Sequence, residues 1–388
     1  MNPPKHILPV IVLAQFCCTS LWFATNGVIG ELATNFGLAT NLLGNLTSAV
    51  QFGFISGTLA FAMLTITDRF SPSKVFFIAA LIGAACNAAT LWPGNTLFTL
   101  MIFRYGTGFF LAGIYPVGMK IAADYFDKGL GKSLGFLVGA LVLGTAFPHA
   151  LKGFDTMVSW QHVIITTSLL AVLGGLLLFA LVPNGPYRKS SQNVDLKAFF
   201  KVFQDRKFRA AAFGYFGHMW ELYTFWAFVP VMLVTYAKTH KATIAISFWS
   251  FMTIALGGLA CVLGGYVSQK LGTKKTARNA LFLSGCCCLL CPFVCMVPNT
   301  YFFLLFLCSW GMVVIADSPL FSTLVAKNAN PQLKGTALTI VNCIGFAITI
   351  ISIQLISTLH TTGLGNWAFM ILAVGPVLGL LALRSKQE

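Results

Sequence analysis

Long apolar runs, separated by short polar or charged breaks, repeat along the whole chain. Each matches the roughly 20 residues that an α-helix needs to cross the hydrocarbon core of a bilayer. None alternates polar and apolar positions, which excludes an outer-membrane barrel. Charge and turn signals divide the runs into twelve predicted spans. The first six are Ile7 to Gly30, Gly44 to Ile66, Val75 to Trp92, Leu97 to Ala123, Ser133 to Leu151 and His162 to Val182. Spans 7 to 12 are Ala210 to Tyr236, Ala245 to Val267, Asn279 to Val297, Tyr301 to Val325, Thr336 to Thr358 and Trp367 to Leu383. Span 1 follows Met1 to His6 directly, so no cleavable signal is expected.

The longest polar stretch, after Pro183, reads NGPYRKSSQNVDLKAFFKVFQDRKFR, a basic and partly amphipathic segment suited to a membrane surface. It separates the spans six and six. The expected organisation is a first bundle over 1–185, a cytoplasmic linker over 186–207 and a second bundle over 208–388. The halves echo each other. Asp68-Arg69-Phe70-Ser71-Pro72-Ser73-Lys74 follows span 2, and Gln269-Lys270-Leu271-Gly272-Thr273-Lys274-Lys275 follows span 8. Tyr115-Pro116 in span 4 corresponds to Ser318-Pro319 in span 10. The predicted class is therefore an all-α membrane protein built from two pseudo-symmetric six-helix bundles. Repeated six-helix halves are a transporter architecture, with the solute site between the repeats near the bilayer midplane.

Composition agrees, with 57% hydrophobic and only 9% charged residues. A water-soluble domain carries about a quarter charged residues, so lipid must be the main solvent here. The formal charge of +15 raises the question of nucleic acid, but its distribution answers it. With a cytoplasmic N-terminus, only Lys152, Lys238 and Lys241 fall outside, and Arg104 and Lys120 fall within spans. The other twenty of the 25 basic residues are cytoplasmic, the asymmetry that orients membrane proteins. All eleven cysteines lie in apolar segments, which leaves no extracellular disulfide framework. Cys286, Cys287, Cys288, Cys291 and Cys295 crowd span 9, where packing by small polarisable side chains outweighs a soft-metal site.

These motifs resemble the major facilitator superfamily over essentially the whole chain. Asp68, Arg69 and Lys74 resemble that family's loop 2–3 signature, with Ser71 where glycine is usual. The resemblance implies a gating role for the three. Arg104-Tyr105-Gly106-Thr107-Gly108 resembles the span 4 arginine signature, which implies a link between Arg104 and proton coupling. Drug/proton antiporters of the family carry Gly-Pro in span 5, whereas Ala140 follows Gly139 here. Nitrate/nitrite members carry arginines in spans 2 and 8, and neither is present.

Ionisable groups at membrane depth are costly and mark function by default. Spans 2, 3, 6, 8, 9, 11 and 12 have no Asp, Glu, Lys or Arg in their interiors. Span 4 has Arg104, Lys120 and Asp124; span 7 has His218 and Glu221; span 10 has Asp317. With span 1, these are the helices that line the family's central cavity. Glu221 lies about 15–20 Å from the linker along its helix, near mid-bilayer. It is expected either to carry the coupling proton or bind solute, or to hydrogen-bond permanently to His218, three residues away on the same face, or to span 1. Asp317 precedes Pro319, whose missing N–H can kink the helix, and is expected to hold a proton or cation, or to pair with Lys120 or Arg104. Lys120 has Asp124 four residues away as an alternative partner. Proton-coupling candidates are thus Glu221, His218, Asp317 and Arg104. Solute-contact candidates are Trp22, Asn26, Tyr115, Lys120, Trp220, Tyr223 and Trp226, although buried aromatics commonly only pack.

Gly131-Lys132-Ser133-Leu134-Gly135 fits a hydrolase nucleophile pattern but lies at a span 4–5 junction, not at a strand–turn–helix. The same Gly-Lys-Ser lacks the first glycine of a P-loop. The expected function is secondary active transport of a small polar, anionic or zwitterionic solute, coupled to protons and with no catalysis. Expected partners are the solute, protons and the lipid of a cell (inner) membrane, with both termini cytoplasmic. No nucleic acid, cofactor or metal is expected, and the chain is expected to act as a monomer. A facilitative or metal-ion transporter, or a receptor or scaffold on the same fold, is the alternative.

Overall fold

Lipid cannot hydrogen-bond a backbone, so a chain this apolar has to satisfy its peptide groups within helices. The computed structural model describes residues 4–38, 41–126, 130–154, 158–188 and 199–384. Among these residues there is no strand. The helices are α1 (Ile7–Thr19), α2 (Ile29–Phe36), α3 (Leu42–Met63), α4 (Ile66–Arg69), α5 (Pro72–Ala88) and α6 (Leu97–Leu111). Next come α7 (Tyr115–Tyr125), α8 (Leu130–Phe154), α9 (Trp160–Leu181), α10 (Phe199–Val202), α11 (Arg206–His240) and α12 (Ile246–Leu271). The last are α13 (Thr273–Met296), α14 (Thr300–Ala316), α15 (Ser318–Asn328), α16 (Lys334–Leu359) and α17 (Val374–Leu383). They form two compact units, Met1–Val194 and Asp195–Glu388. Ten of the 22 residues of the expected linker, 189–198, lie outside the described residues.

Nine stretches among the described residues are long and apolar enough to cross a membrane. They include expected spans 2 to 6 and 8 to 10. The ninth, Lys334–Leu383, has 50 residues and contains spans 11 and 12, divided where Gly363 and Gly365 take φ of 100° and 52°. Span 1 falls short because its helix stops at Thr19. Span 7 is long enough but too polar, and the reason is burial. Most of α11 between Ala211 and Tyr236 is buried among α12 and α14 to α17, so few of its side chains meet lipid.

Three expected spans are interrupted, each for a local reason. After α1 the chain turns through Ser20 to Thr25, where Thr19 and Ser20 hydroxyls donate back to the carbonyls of Gln15 and Cys17. Such back-bonding weakens a helix. Span 4 breaks between α6 and α7 because Pro116 cannot donate to Ala112, and shorter bonds from Gly113 and Ile114 replace the ladder. Span 10 breaks at Asp317 because Pro319 cannot donate to Ile315. That freed carbonyl accepts the Cys261 thiol at 3.5 Å instead. Tyr115-Pro116 and Ser318-Pro319 therefore open α7 and α15 in the same way.

Close helix contacts repeat too. A Cβ on Gly108 of α6 would lie 2.0 Å from the Val50 carbonyl of α3. A Cβ on Gly311 of α14 would lie 2.0 Å from the Thr253 carbonyl of α12. In α12 itself, Gly257 packs on α14, whereas Gly265 has nothing within 4 Å and is not a packing glycine.

Gly108→Val should push α3 and α6 apart and cost about 1–3 kcal/mol by overpacking. Gly30→Val, on a position with open space around it, is the matched control. Thermal unfolding in detergent should show a lower midpoint for the first variant alone. Equal midpoints would contradict the contact.

Candidate functional site

In the second unit α11 carries His218 and Glu221 inward, both buried. Trp310 Nε1 donates to Glu221 Oε1 at 2.6 Å, and Ser284 Oγ donates to Oε2 at 2.8 Å. The Cys288 thiol lies against the same carboxyl. All three neighbours are neutral. Among the described residues no Lys, Arg or His lies within ion-pair distance of Glu221. Its sequence-expected partner His218 is engaged elsewhere.

His218 Nδ1 lies 2.8 Å from Asp317 Oδ1, with 1% and 0% of the two side chains exposed. Asp317 therefore pairs with neither Lys120 nor Arg104. The His218 ring sits between Tyr215 and Phe321, with centroids 6.1 and 6.2 Å away. Its Nε2 has no hydrogen-bond partner among the described residues. Residues three apart share a helix face but differ in height by about 4.5 Å, so each meets different neighbours. His218 meets the α14–α15 break, and Glu221 meets α13 and α14.

Trp220 donates Nε1 to the Ile371 carbonyl at 3.2 Å, in the 3₁₀ stretch Gly365–Ala373. That bond gives it a task within the fold. Tyr223 and Trp226 are buried, with rings 5.4 Å apart, and Tyr223 lies 5.2 Å from Phe346.

In the first unit Arg104 is fully buried on α6 and grips the interrupted part of span 1. Nη2 donates to the carbonyls of Leu21 at 3.0 Å and Trp22 at 2.5 Å, and Nη1 donates to Asn87 Oδ1 at 3.1 Å. Asn87 in turn donates to Thr167 and Ser168 of α9. Arg104 thus takes up carbonyls that the broken helix leaves open, and does not reach toward the bilayer surface. Trp22 packs on Phe54 with ring centroids 4.9 Å apart. Asn26 donates to Thr47 at 3.0 Å. Tyr115 is half-buried at the start of α7.

Lys120 pairs with Asp68, not with Asp124. Arg188 Nη2 donates to the backbone carbonyls of Asp68 and Phe70, both at 3.0 Å. Arg69 bonds Thr65 in its own turn, and Lys74 is exposed. Of the three loop residues, only Asp68 pairs with another helix among the described residues.

Charged residues within the spans are not the whole of the buried polar inventory. Gln15 and Gln51 are buried with both amide atoms unpartnered among the described residues, as is Nε2 of buried His149. Their signal was available: amides and imidazole inside apolar runs. Glu31, just beyond span 1, pairs with Lys152 at 2.5 Å and accepts from Trp160 N–H at 2.9 Å. Trp310 and Ser284 carried no signal, because tryptophan and serine are ordinary in membrane helices.

The family model described as Major Facilitator Superfamily matches residues 11–353. The chain is 21% identical over 350 residues to the uncharacterized MFS-type transporter YceJ of Bacillus subtilis, covering 87% of this chain and 85% of the relative. It is 22% identical over 356 residues to a bicyclomycin resistance protein homolog of Haemophilus influenzae, covering 85% and 83%. The fold matches a crystal structure of a mutant nucleoside transporter NupG with TM-score 0.73 at 15% identity, covering 98% of each chain.

Arg104→Lys keeps the charge, but one ammonium cannot span two carbonyls and the Asn87 amide together. Orphaned buried acceptors cost about 1–3 kcal/mol, so the detergent unfolding midpoint should fall. Arg69→Lys, at an exposed turn, should leave it nearly unchanged. Equal effects of the two substitutions would contradict the grip.

Proposed function

The chain belongs to the major facilitator superfamily, and we propose that it is a proton-coupled secondary active transporter working by alternating access. It is a multi-pass membrane protein that carries a small polar solute across the cell (inner) membrane, with both termini cytoplasmic. The observation that carries this reading is the pair of buried carboxyls in the second unit. Glu221 is surrounded by neutral donors, and Asp317 sits on a histidine at a helix break.

A bare carboxylate away from water is expensive, and a bound proton removes that cost. Protonated Glu221 keeps Trp310 and Ser284 as neighbours, so the proton can come and go without dismantling the site. The His218–Asp317 contact joins α11 to the α14–α15 break, where the backbone ladder is already interrupted. Movement there would separate the pair and let a proton leave. His218 Nδ1, 2.8 Å from Asp317 Oδ1, is placed to relay that proton.

The solute is proposed to be anionic or zwitterionic. Lys120 no longer supports this, because Asp68 engages it. Arg104 does, since no acid among the described residues compensates its buried charge. Gln15, Gln51 and His149 add unspent hydrogen-bonding capacity for a polar solute. A thermal-shift screen of small organic anions, amino acids and organic cations tests the charge. Stabilisation by cations and by no anion would overturn it.

With a solute from that screen, Glu221→Gln in proteoliposomes should abolish pH-driven uphill uptake and leave solute exchange largely intact. Uphill accumulation by this variant would sink the assignment. Asp68→Asn should release Lys120 and change the labelling of cysteines introduced at the two membrane faces. Unchanged labelling would remove Asp68 from gating.

A further inference from the structure

A groove lies where the first turns of α13 meet the end of α17, within the second unit. It is a cavity of about 330 Å³ lined by Arg278, Asn279, Phe282, Leu380 and Arg384. Deeper in, the two helices touch. A Cβ on Gly379 would lie 2.9 Å from Leu281, and one on Gly285 would lie 2.9 Å from Pro376. Arg278 and Phe282 are four apart on α13, and Leu380 and Arg384 are four apart at the end of α17. Residues at that spacing share a face. The groove therefore has a guanidinium rung at its mouth and an apolar rung about one turn, roughly 5 Å, further into the membrane.

Both arginines are exposed, and neither guanidinium has a hydrogen-bond or ion-pair partner among the described residues. Neither α13 nor α17 contains an acidic residue, and Lys274 and Lys275 add charge to the first turn of α13. Phe282 is 56% exposed, an apolar side chain facing out next to two cations.

We propose that this groove binds an anionic phospholipid. Arg278 and Arg384 take the phosphate from two sides, with Asn279 as a further hydrogen-bonding side chain. Phe282 and Leu380 take the start of the acyl chains. Arginine suits this place because its planar fork matches phosphate oxygens two at a time. Basic pockets between membrane helices select anionic headgroups in this way. A free phosphate ion would use the upper rung and leave the apolar rung without a role, which favours the lipid. This site is separate from the buried carboxyls and does not depend on their function.

The test uses the purified full chain, stripped of lipid in detergent, with bound lipid counted by native mass spectrometry. Phosphatidylglycerol should bind the unaltered protein, and phosphatidylcholine should bind far more weakly. R278Q/R384Q should weaken phosphatidylglycerol binding about tenfold or more, at about 1 kcal/mol for each basic group. K327Q/K334Q, which removes two exposed charges elsewhere in the unit, should not. Inorganic phosphate at millimolar concentration should not displace the lipid. Equal weakening in the lysine variant would show diffuse attraction and overturn the site. So would unchanged binding in the arginine variant, equal binding of phosphatidylcholine, or displacement by phosphate. If the arginine variant fails to fold, Phe282→Asp with both arginines kept should weaken binding similarly, and full retention there would also overturn the proposal.

Discussion

Hydrocarbon offers no hydrogen bonds, so each polar atom carried into the bilayer must find its partner in the chain itself. That constraint explains the continuous helices, and it explains more pointedly what happens where they stop. Span 1 ends its regular helix at Thr19, and Arg104 from α6 reaches across to take the carbonyls of Leu21 and Trp22. Span 10 stops at Asp317, and Cys261 from α12 takes the carbonyl that Pro319 frees. An interruption in one helix is therefore a demand on its neighbour. Conventional packing alone would not place a guanidinium at the depth of Leu21 and Trp22.

The same constraint separates the two buried carboxyls. Glu221 is solvated by an indole, a hydroxyl and a thiol, none of which competes for a proton near neutral pH. Asp317 has the imidazole of His218 instead. One acid is thus held in a neutral shell, while the other meets a histidine of α11 at a break in its own helix. Two groups of the same chemistry acquire different surroundings from helices that pass within one turn of each other.

Burial also decides which helices need to look like membrane helices. Spans exposed to lipid are apolar nearly throughout. The α11 helix is shielded by five others and can carry Gly, His, Trp, Glu, Tyr and Thr in its middle. Its polarity reflects the neighbours that surround it. At the edge of the second unit the logic reverses, and Phe282 and Leu380 stand apolar beside Arg278 and Arg384, as a surface meeting both acyl chains and headgroups requires.

Run lengths and charge placement were enough to establish an all-helical membrane chain in two halves, because the bilayer sets the length of a span independently of packing. The echo between Tyr115-Pro116 and Ser318-Pro319 was legible for a similar reason, since a proline breaks the ladder wherever it sits. The depth of His218, Glu221 and Asp317 could be counted along the chain at a fixed rise per residue. Pairing could not be counted in that way. Lys120 has an acid four residues away on its own helix, yet it meets Asp68. His218 has Glu221 three residues away, yet it meets Asp317. Spacing along one helix determines which residues share a face, whereas a partner is chosen by the helix packed against that face. Only the tertiary structure supplies that second helix, and with it the breaks, the Arg104 grip and the neutral shell around Glu221.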